Sequence, residues 1–255
     1  MRLLVSVRSG AEAVAAVAGG ADIVDAKEPS RGSLGPVDPA TLGDIAAALP
    51  AAMPLSAALG DFHRPEEAAA AIGRLPPMAE RSGPIYLKLG FAGVGSEDAI
   101  DRILCAAVEA AGSRGDRAGL VVAAYADHEE AGTLGPATLA SVAARRGAVG
   151  VLLDTRTKDG RDLFHWMPRA GLDRWVAGVR EAGLLPAVAG SLDAGSIERL
   201  IDCGAEILGV RGAACDGGRG GLVSAARVRA VKLALSGVEP RVEACSPGGE
   251  RMLTP

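Results

Sequence analysis

Lys27, Lys88, Lys158 and Lys232 are the only lysines of this chain, and Arg carries the rest of its positive charge. That choice bears on chemistry. An Arg guanidinium keeps its proton, whereas a desolvated Lys can lose one and act as a nucleophile or an amine base. Lys27 lies in Asp22-Ile23-Val24-Asp25-Ala26-Lys27-Glu28-Pro29. Side chains of an extended strand alternate with period two, so Asp25 and Lys27 emerge on one face, an acid beside an amine. Taken alone, the pair fits either a salt bridge at a strand terminus or a reactive amine. Lys88 and Lys158 also fall at or just after predicted strand ends, while Lys232 falls in a predicted helix. Three of four lysines in one kind of place favour chemistry over surface charge.

The elements that must carry these residues alternate regularly. Strands are predicted over 2–7, 22–27, 54–59, 85–89, 120–125, 149–154, 185–189 and 206–210. Helices are predicted over 10–18, 39–49, 65–74, 96–111, 136–146, 172–182, 194–203 and 223–235. Asp38 is placed as an N-cap with Pro39 at the first helical position, and Gly19-Gly20 ends the first helix. A Gly-Ala step recurs before strands two, six and eight, at Gly20-Ala21, Gly147-Ala148 and Gly204-Ala205. Short apolar strands alternating with Ala-rich helices indicate a parallel sheet. Eight such units in 255 residues predict a single (β/α)8 TIM barrel over 1–235, with 236–255 as a loosely held tail. An open doubly wound sheet is the alternative, weakened because no Gly-x-Gly-x-x-Gly follows the first strand.

Composition narrows the partners. Aromatics make up 3% of the chain and the net charge is −4, which argues against a base-stacking or basic surface for nucleic acid and against an anionic membrane. No apolar run has the length of a membrane span, and the first residues run straight into a strand rather than a signal peptide. Cys105, Cys203, Cys215 and Cys245 form no CxxC pair, which fits free thiols in a reducing cytoplasm. His63, His128 and His165 lack metal-ligand spacing, so neither a metal nor another cofactor is expected. The Ala-rich helices and scarce aromatics suggest helix surfaces buried between subunits of a homo-oligomer.

Barrel active sites lie at the C-terminal ends of the strands. There the chain puts Ser6 and Arg8, Asp25 and Lys27, Asp61, Lys88, Asp154 and, just beyond, Lys158. Crowded lysines depress one another's pKa and can leave one amine neutral near pH 7, and Asp25 and Asp154 can shuttle protons or hold the ammonium groups. A ring of ion pairs capping the barrel is the competing explanation. At strands seven and eight, Gly190-Ser191 and Gly209-Val210-Arg211-Gly212 lie where barrels bind phosphate, the glycines admitting the anion to the backbone and Arg211 clamping it. A flexible connection would also be glycine-rich.

The run Leu3-Leu4-Val5-Ser6, then Gly19-Gly20-Ala21-Asp22-Ile23-Val24-Asp25-x-Lys27-x-Pro29 with Gly32-Ser33-Leu34-Gly35, resembles the (5-formylfuran-3-yl)methyl phosphate synthase family of methanofuran biosynthesis. The resemblance continues in Lys88-Leu89-Gly90, Leu153-Asp154-Thr155 with Lys158-Asp159-Gly160, Ala189-Gly190-Ser191 and Gly209-Val210-Arg211-Gly212. It implies a (β/α)8 barrel that condenses two glyceraldehyde 3-phosphates, a triose phosphate, into a furan aldehyde phosphate with loss of phosphate and water, without redox cofactor or metal. It also implies that Lys27 forms the imine and Lys88 accepts a proton, with Asp25, Asp154 and Lys158 as the other charged positions. Pro36 and the Gly/Arg loop from Asp216 depart from the pattern. An imine-forming sugar-phosphate aldolase would need the same lysine and phosphate site, and a non-catalytic barrel binding a phosphorylated metabolite would need the phosphate site alone.

Overall fold

The computed structural model describes residues 1–116 and 118–237. Eight strands, β1 (Arg2–Val7), β2 (Ile23–Ala26), β3 (Leu55–Asp61), β4 (Ile85–Gly90), β5 (Ala118–Tyr125), β6 (Gly150–Asp154), β7 (Leu185–Val188) and β8 (Ile207–Val210), pair in parallel in chain order. β8 returns to β1 with Leu4 opposite Gly209 and Val5 opposite Val210, closing the sheet into a barrel. Closure leaves no edge strand, and with helices outside and side chains inside both faces are covered, which is why the strands read as near-continuous apolar runs.

The long helices are α1 (Gly10–Ala18), α2 (Pro39–Ala47), α3 (Pro65–Gly73), α4 (Glu97–Gly112), α6 (Pro136–Arg145), α8 (Arg169–Glu181) and α10 (Ala225–Leu235). Short helices α5 (His128–Ala131), α7 (Leu163–Trp166) and α9 (Ala194–Glu198) sit in loops above the strands. Side chains start several of them: Ser9 accepts from the Glu12 N–H, Asp38 from Thr41 and Ser96 from Ala99. α1 and α10 pack closely at Gly19, where a Cβ would lie 2.7 Å from Val228 Cγ1, so only glycine lets the last helix seal against the first.

Period-two alternation divides the strand residues into two cores. Leu3, Val5, Val24, Leu87, Val122, Leu153 and Leu208 face the helices. Leu4, Ile23, Val121, Leu152, Ala187 and Ile207 fill the barrel interior and form a floor beneath the polar residues at its mouth. A register shift between Ala58 and Gly60 re-aims the end of β3 and brings Asp61 opposite Gly90.

The structure departs from the predicted elements at a few places. The helix predicted over 194–203 stops at Glu198, because Arg169 donates to the carbonyls of Arg199 and Ile201 and Asp202 turns the chain at φ 66°. Within the Gly/Arg loop a two-residue antiparallel pair forms, β9 (Cys215–Asp216) with β10 (Leu222–Val223). Most of the predicted tail, from residue 238 on, lies outside the described residues. Among those described, no helix is long and apolar enough to cross a membrane.

Candidate active site

Alternation along β2 points Ile23, Asp25 and, just past the strand, Lys27 into the barrel. Asp25 is fully buried. Its Oδ2 accepts from Lys88 Nζ on β4 at 2.7 Å and from Ser6 Oγ on β1 at 2.8 Å. The neighbouring Asp25 and Lys27 therefore do not form the strand-end salt bridge that their sequence proximity allowed; a lysine 63 positions away, well desolvated, takes the carboxylate instead. Asp25 Oδ1 and the Oγ of Ser56, its register partner on β3, have no partner among the described residues.

A second ion pair forms at β6. Asp154 Oδ1 accepts from Lys158 Nζ at 2.7 Å and from the Thr155 N–H at 2.8 Å, and Lys158 also donates to Thr155 Oγ1 at 3.0 Å. The loop that carries Lys158 is fixed from below by Asp127, whose carboxylate accepts from the N–H groups of Arg156 at 2.7 Å and Thr157 at 2.8 Å. Burial pushes the Asp154 carboxyl upward, but the charges of Lys158 and Lys27, with the hydrogen bonds, outweigh it and hold it below its ordinary value.

Lys27 lies between these pairs, 6% exposed, and among the described residues its amine has no hydrogen-bond or ion-pair partner. Burial lowers its pKa from 10.5 to about 7; Asp154 and Asp25 oppose that, and Lys88 and Lys158 add to it. Lys27 therefore titrates near neutral pH, where an exposed lysine stays charged. The three lysines and Asp154 line a cavity of about 670 Å³ at the mouth of the barrel, and Asp25 lies directly beneath Lys88.

The same cavity reaches the turns after β7 and β8 and is lined there by Gly190, Ser191, Gly209, Arg211 and Gly212. Ser191 holds φ 52°, a left-handed conformation that side chains rarely adopt and that clusters at ligand sites. Among the described residues, nothing accepts the N–H groups of Ser191 or Gly212. Arg211 corrects the expectation of a side-chain clamp. All five of its N–H groups are spent: on both oxygens of Glu12 and on the carbonyls of Ser6, Arg219 and Gly221. Burial drives the Glu12 carboxyl up, but the hydrogen bonds and charge of Arg211, helped by Arg8, hold it below its ordinary value. This buried pair staples α1 to the loop after β8 and has no donor left for an anion.

The Gly32-Ser33-Leu34-Gly35 segment folds back over the mouth. Ser33 Oγ donates to Tyr125 Oη at 3.3 Å, and Tyr125 donates to Asp61 Oδ1 at 2.9 Å. Leu34 packs beneath, in the space that a side chain at Gly90 would occupy: a Cβ there would lie 2.7 Å from Leu34 Cδ1 and 2.8 Å from Tyr125 Oη. Tyr125 and Asp127 escaped the sequence reading, although Tyr125 is one of two tyrosines and ends a predicted strand. Arg219 was visible only as part of a glycine-rich loop. Among the described residues no three His, Cys, Asp or Glu side chains gather as a metal site would require.

The family model described as 4-HFC-P synthase matches residues 3–232. The chain is 38% identical over 220 residues to the (5-formylfuran-3-yl)methyl phosphate synthase of Methanothermobacter thermautotrophicus, covering 86% of this chain and 91% of that one. It is 36% identical over 221 residues to the protein of the same name from Methanosarcina barkeri, covering 86% and 92%. Among solved structures it is similar in fold to KGPDC from Streptococcus mutans (TM-score 0.59, 16% identity, 93% of this chain and 98% of that one). Phosphoribosyl anthranilate isomerase from Thermus thermophilus is comparably similar (TM-score 0.57, 17% identity, 93% and 99%).

Proposed function

The chain belongs to the 4-HFC-P synthase family, and from that premise we propose that it joins two molecules of glyceraldehyde 3-phosphate through an imine on Lys27 to make (5-formylfuran-3-yl)methyl phosphate. The observation that carries this reading is the unpartnered, desolvated amine of Lys27, with a pKa of about 7, in a cavity whose other two lysines are held in ion pairs.

The neutral Lys27 amine attacks a triose phosphate carbonyl carbon. Water leaves, and the imine nitrogen keeps a proton that draws electrons from the adjacent carbon. Lys88 takes the proton from that carbon; hydrogen-bonded to Asp25, it can pass its own proton toward the carboxylate, whose Oδ1 has no partner among the described residues. The resulting enamine expels phosphate from its far carbon, and that carbon, now the methylene end of an enol, attacks the carbonyl of the second triose after this has isomerised to its ketone form. Lys158, held by Asp154, donates a hydrogen bond to the oxygen that gains charge in this step. Ring closure through the hydroxymethyl oxygen of the second triose, loss of two waters and hydrolysis of the imine then give the aromatic furan and free Lys27. Two triose phosphates thereby yield one furan phosphate, one inorganic phosphate and two waters, with no change in overall oxidation state. The backbone N–H groups of Ser191 and Gly212, rather than the Arg211 side chain, hold a substrate phosphate beside β7 and β8.

The test is to supply glyceraldehyde 3-phosphate alone and follow the near-ultraviolet absorbance together with phosphate release. The synthase reaction gives a furan chromophore and inorganic phosphate in equal amounts. An aldol product would give neither, and a barrel that only binds its ligand would consume nothing.

A further inference from the structure

The cations lining the cavity are Lys27, Lys88, Lys158, Arg211, Arg219 and Arg227. Most are accounted for within the chain: Lys88 pairs with Asp25, Lys158 with Asp154, Arg211 with Glu12 and Arg227 with Asp216. Lys27, its pKa lowered to about 7, is not a fixed cation near neutral pH. Arg219 differs from all of these. It is a permanent cation, half-buried in the cavity wall, and no carboxylate pairs with it among the described residues.

Its position is built by the loop between β9 and β10. Gly217 at φ 83° and Gly218 at φ 73° reverse the chain, and a Cβ on Gly221 would collide with the Asp216 carbonyl, so only glycine closes this turn. The turn sets the Arg219 backbone beside Gly212 and sends its side chain past the end of β1 to the loop after β2. There Nη2 donates to the carbonyl of Gly32 at 2.8 Å and lies 3.4 Å from that of Pro29. These contacts fix the plane of the guanidinium. Among the described residues Nε and Nη1 have no partner. Burial strips water from the group and lowers its pKa, and the charge of Asp154 only partly offsets this.

The geometry points to Arg219 as the ligand of a second phosphate monoester, bound beside the loop after β2 and separate from the phosphate held by the turns after β7 and β8. This inference rests on the reading of two triose phosphates as co-substrates, each of which brings a phosphate group to the site. The two positions do not coincide. The guanidinium is anchored at the loop after β2 and the Ser191 N–H lies after β7, three strand positions away, roughly 14 Å along the sheet at about 4.8 Å per strand. The planar fork of an Arg with free Nε and Nη1 matches two phosphate oxygens. By tying Gly32 to the same guanidinium, the arrangement couples phosphate binding to the segment that covers the mouth.

The experiment is calorimetric titration of the full chain with inorganic phosphate alone. Wild type is expected to take up two phosphates per chain, and Arg219→Gln one, with affinity for the other at least tenfold weaker. Gln can still donate to the Gly32 carbonyl, and Arg219→Lys keeps the charge, so Arg219→Lys should hold the second phosphate with intermediate affinity. A wild type that saturates with one phosphate overturns the inference. So do Arg219→Gln binding two phosphates within twofold of wild type, and equal loss in both variants, which would trace the effect to the loop rather than the charge. No aldehyde or turnover enters this measurement. A chain that made no furan would contradict the reaction, while the phosphate count would still report on Arg219.

Discussion

Lys88 donates to Asp25 across the barrel interior at 2.7 Å, and this buried pair takes the carboxylate that shares the inward face of β2 with Lys27. Asp154 is taken in the same way by Lys158. Lys27 is thus left with carboxylates near enough to steady it and none to hold its proton. Its environment releases that proton near pH 7, with burial as the main cause.

The first consequence is a pH profile. The neutral amine is the reactive form, so the rate of imine formation should fall about tenfold per pH unit well below 7, rise through about 7 and level off above it. Rapid borohydride quenching of a single turnover between pH 5.5 and 8.5 measures this. A flat profile over that range would mean that Lys27 does not supply the neutral amine.

Stability should move in the opposite sense to activity when Lys27 is removed. The unfolded chain keeps the Lys27 proton up to about 10.5 and the folded chain releases it near 7, so between those values the unfolded state binds more protons. Wild-type stability therefore gains from rising pH across that window. Lys27→Met should be inactive yet more stable than wild type by roughly 2–4 kcal/mol at pH 7, the difference shrinking toward pH 10. Asp25 and Asp154 keep their own lysine partners in this variant. Urea unfolding of both proteins at pH 7 and pH 9.5 checks it.

Arg211 gives the contrasting case. Arg211→Ala leaves Glu12 buried without its partner and should cost about 3–5 kcal/mol of stability. Pairing it with Glu12→Gln should recover part of that loss by removing the stranded charge. Thermal melts of the two variants decide; an Arg211→Ala protein of normal stability with weakened substrate binding would restore Arg211 as an anion ligand.

Those results would also mark how far the sequence could be read. The eight strands were legible because each is a short apolar run, most of them with Gly or Pro close to an end, and most predicted limits lie within two residues of the observed ones. The three lysines that share the cavity stood out because an Arg-rich chain retains Lys at so few positions. Arg211 was misjudged because its partner, Glu12, lies 199 residues away, and nothing local announces an ion pair of that span. Arg169 ends α9 across 30 residues in the same hidden way, and the Ser33–Tyr125–Asp61 chain becomes visible only when three loops meet over the mouth. Local pattern shows where side chains emerge; which of them pair is decided by barrel closure.

Covalent chemistry at Lys27 is open to borohydride trapping with glyceraldehyde 3-phosphate followed by peptide mass mapping. Wild type should carry a reduced adduct on the Lys27 peptide. Lys27→Arg keeps a cation but offers no amine that can be deprotonated, and should give neither adduct nor furan. Lys88→Arg should give the Lys27 adduct with little furan, because it loses the proton acceptor and keeps the nucleophile. A folded Lys27→Arg protein with near wild-type turnover, or a wild-type adduct on Lys88 or Lys158 instead, would contradict the account.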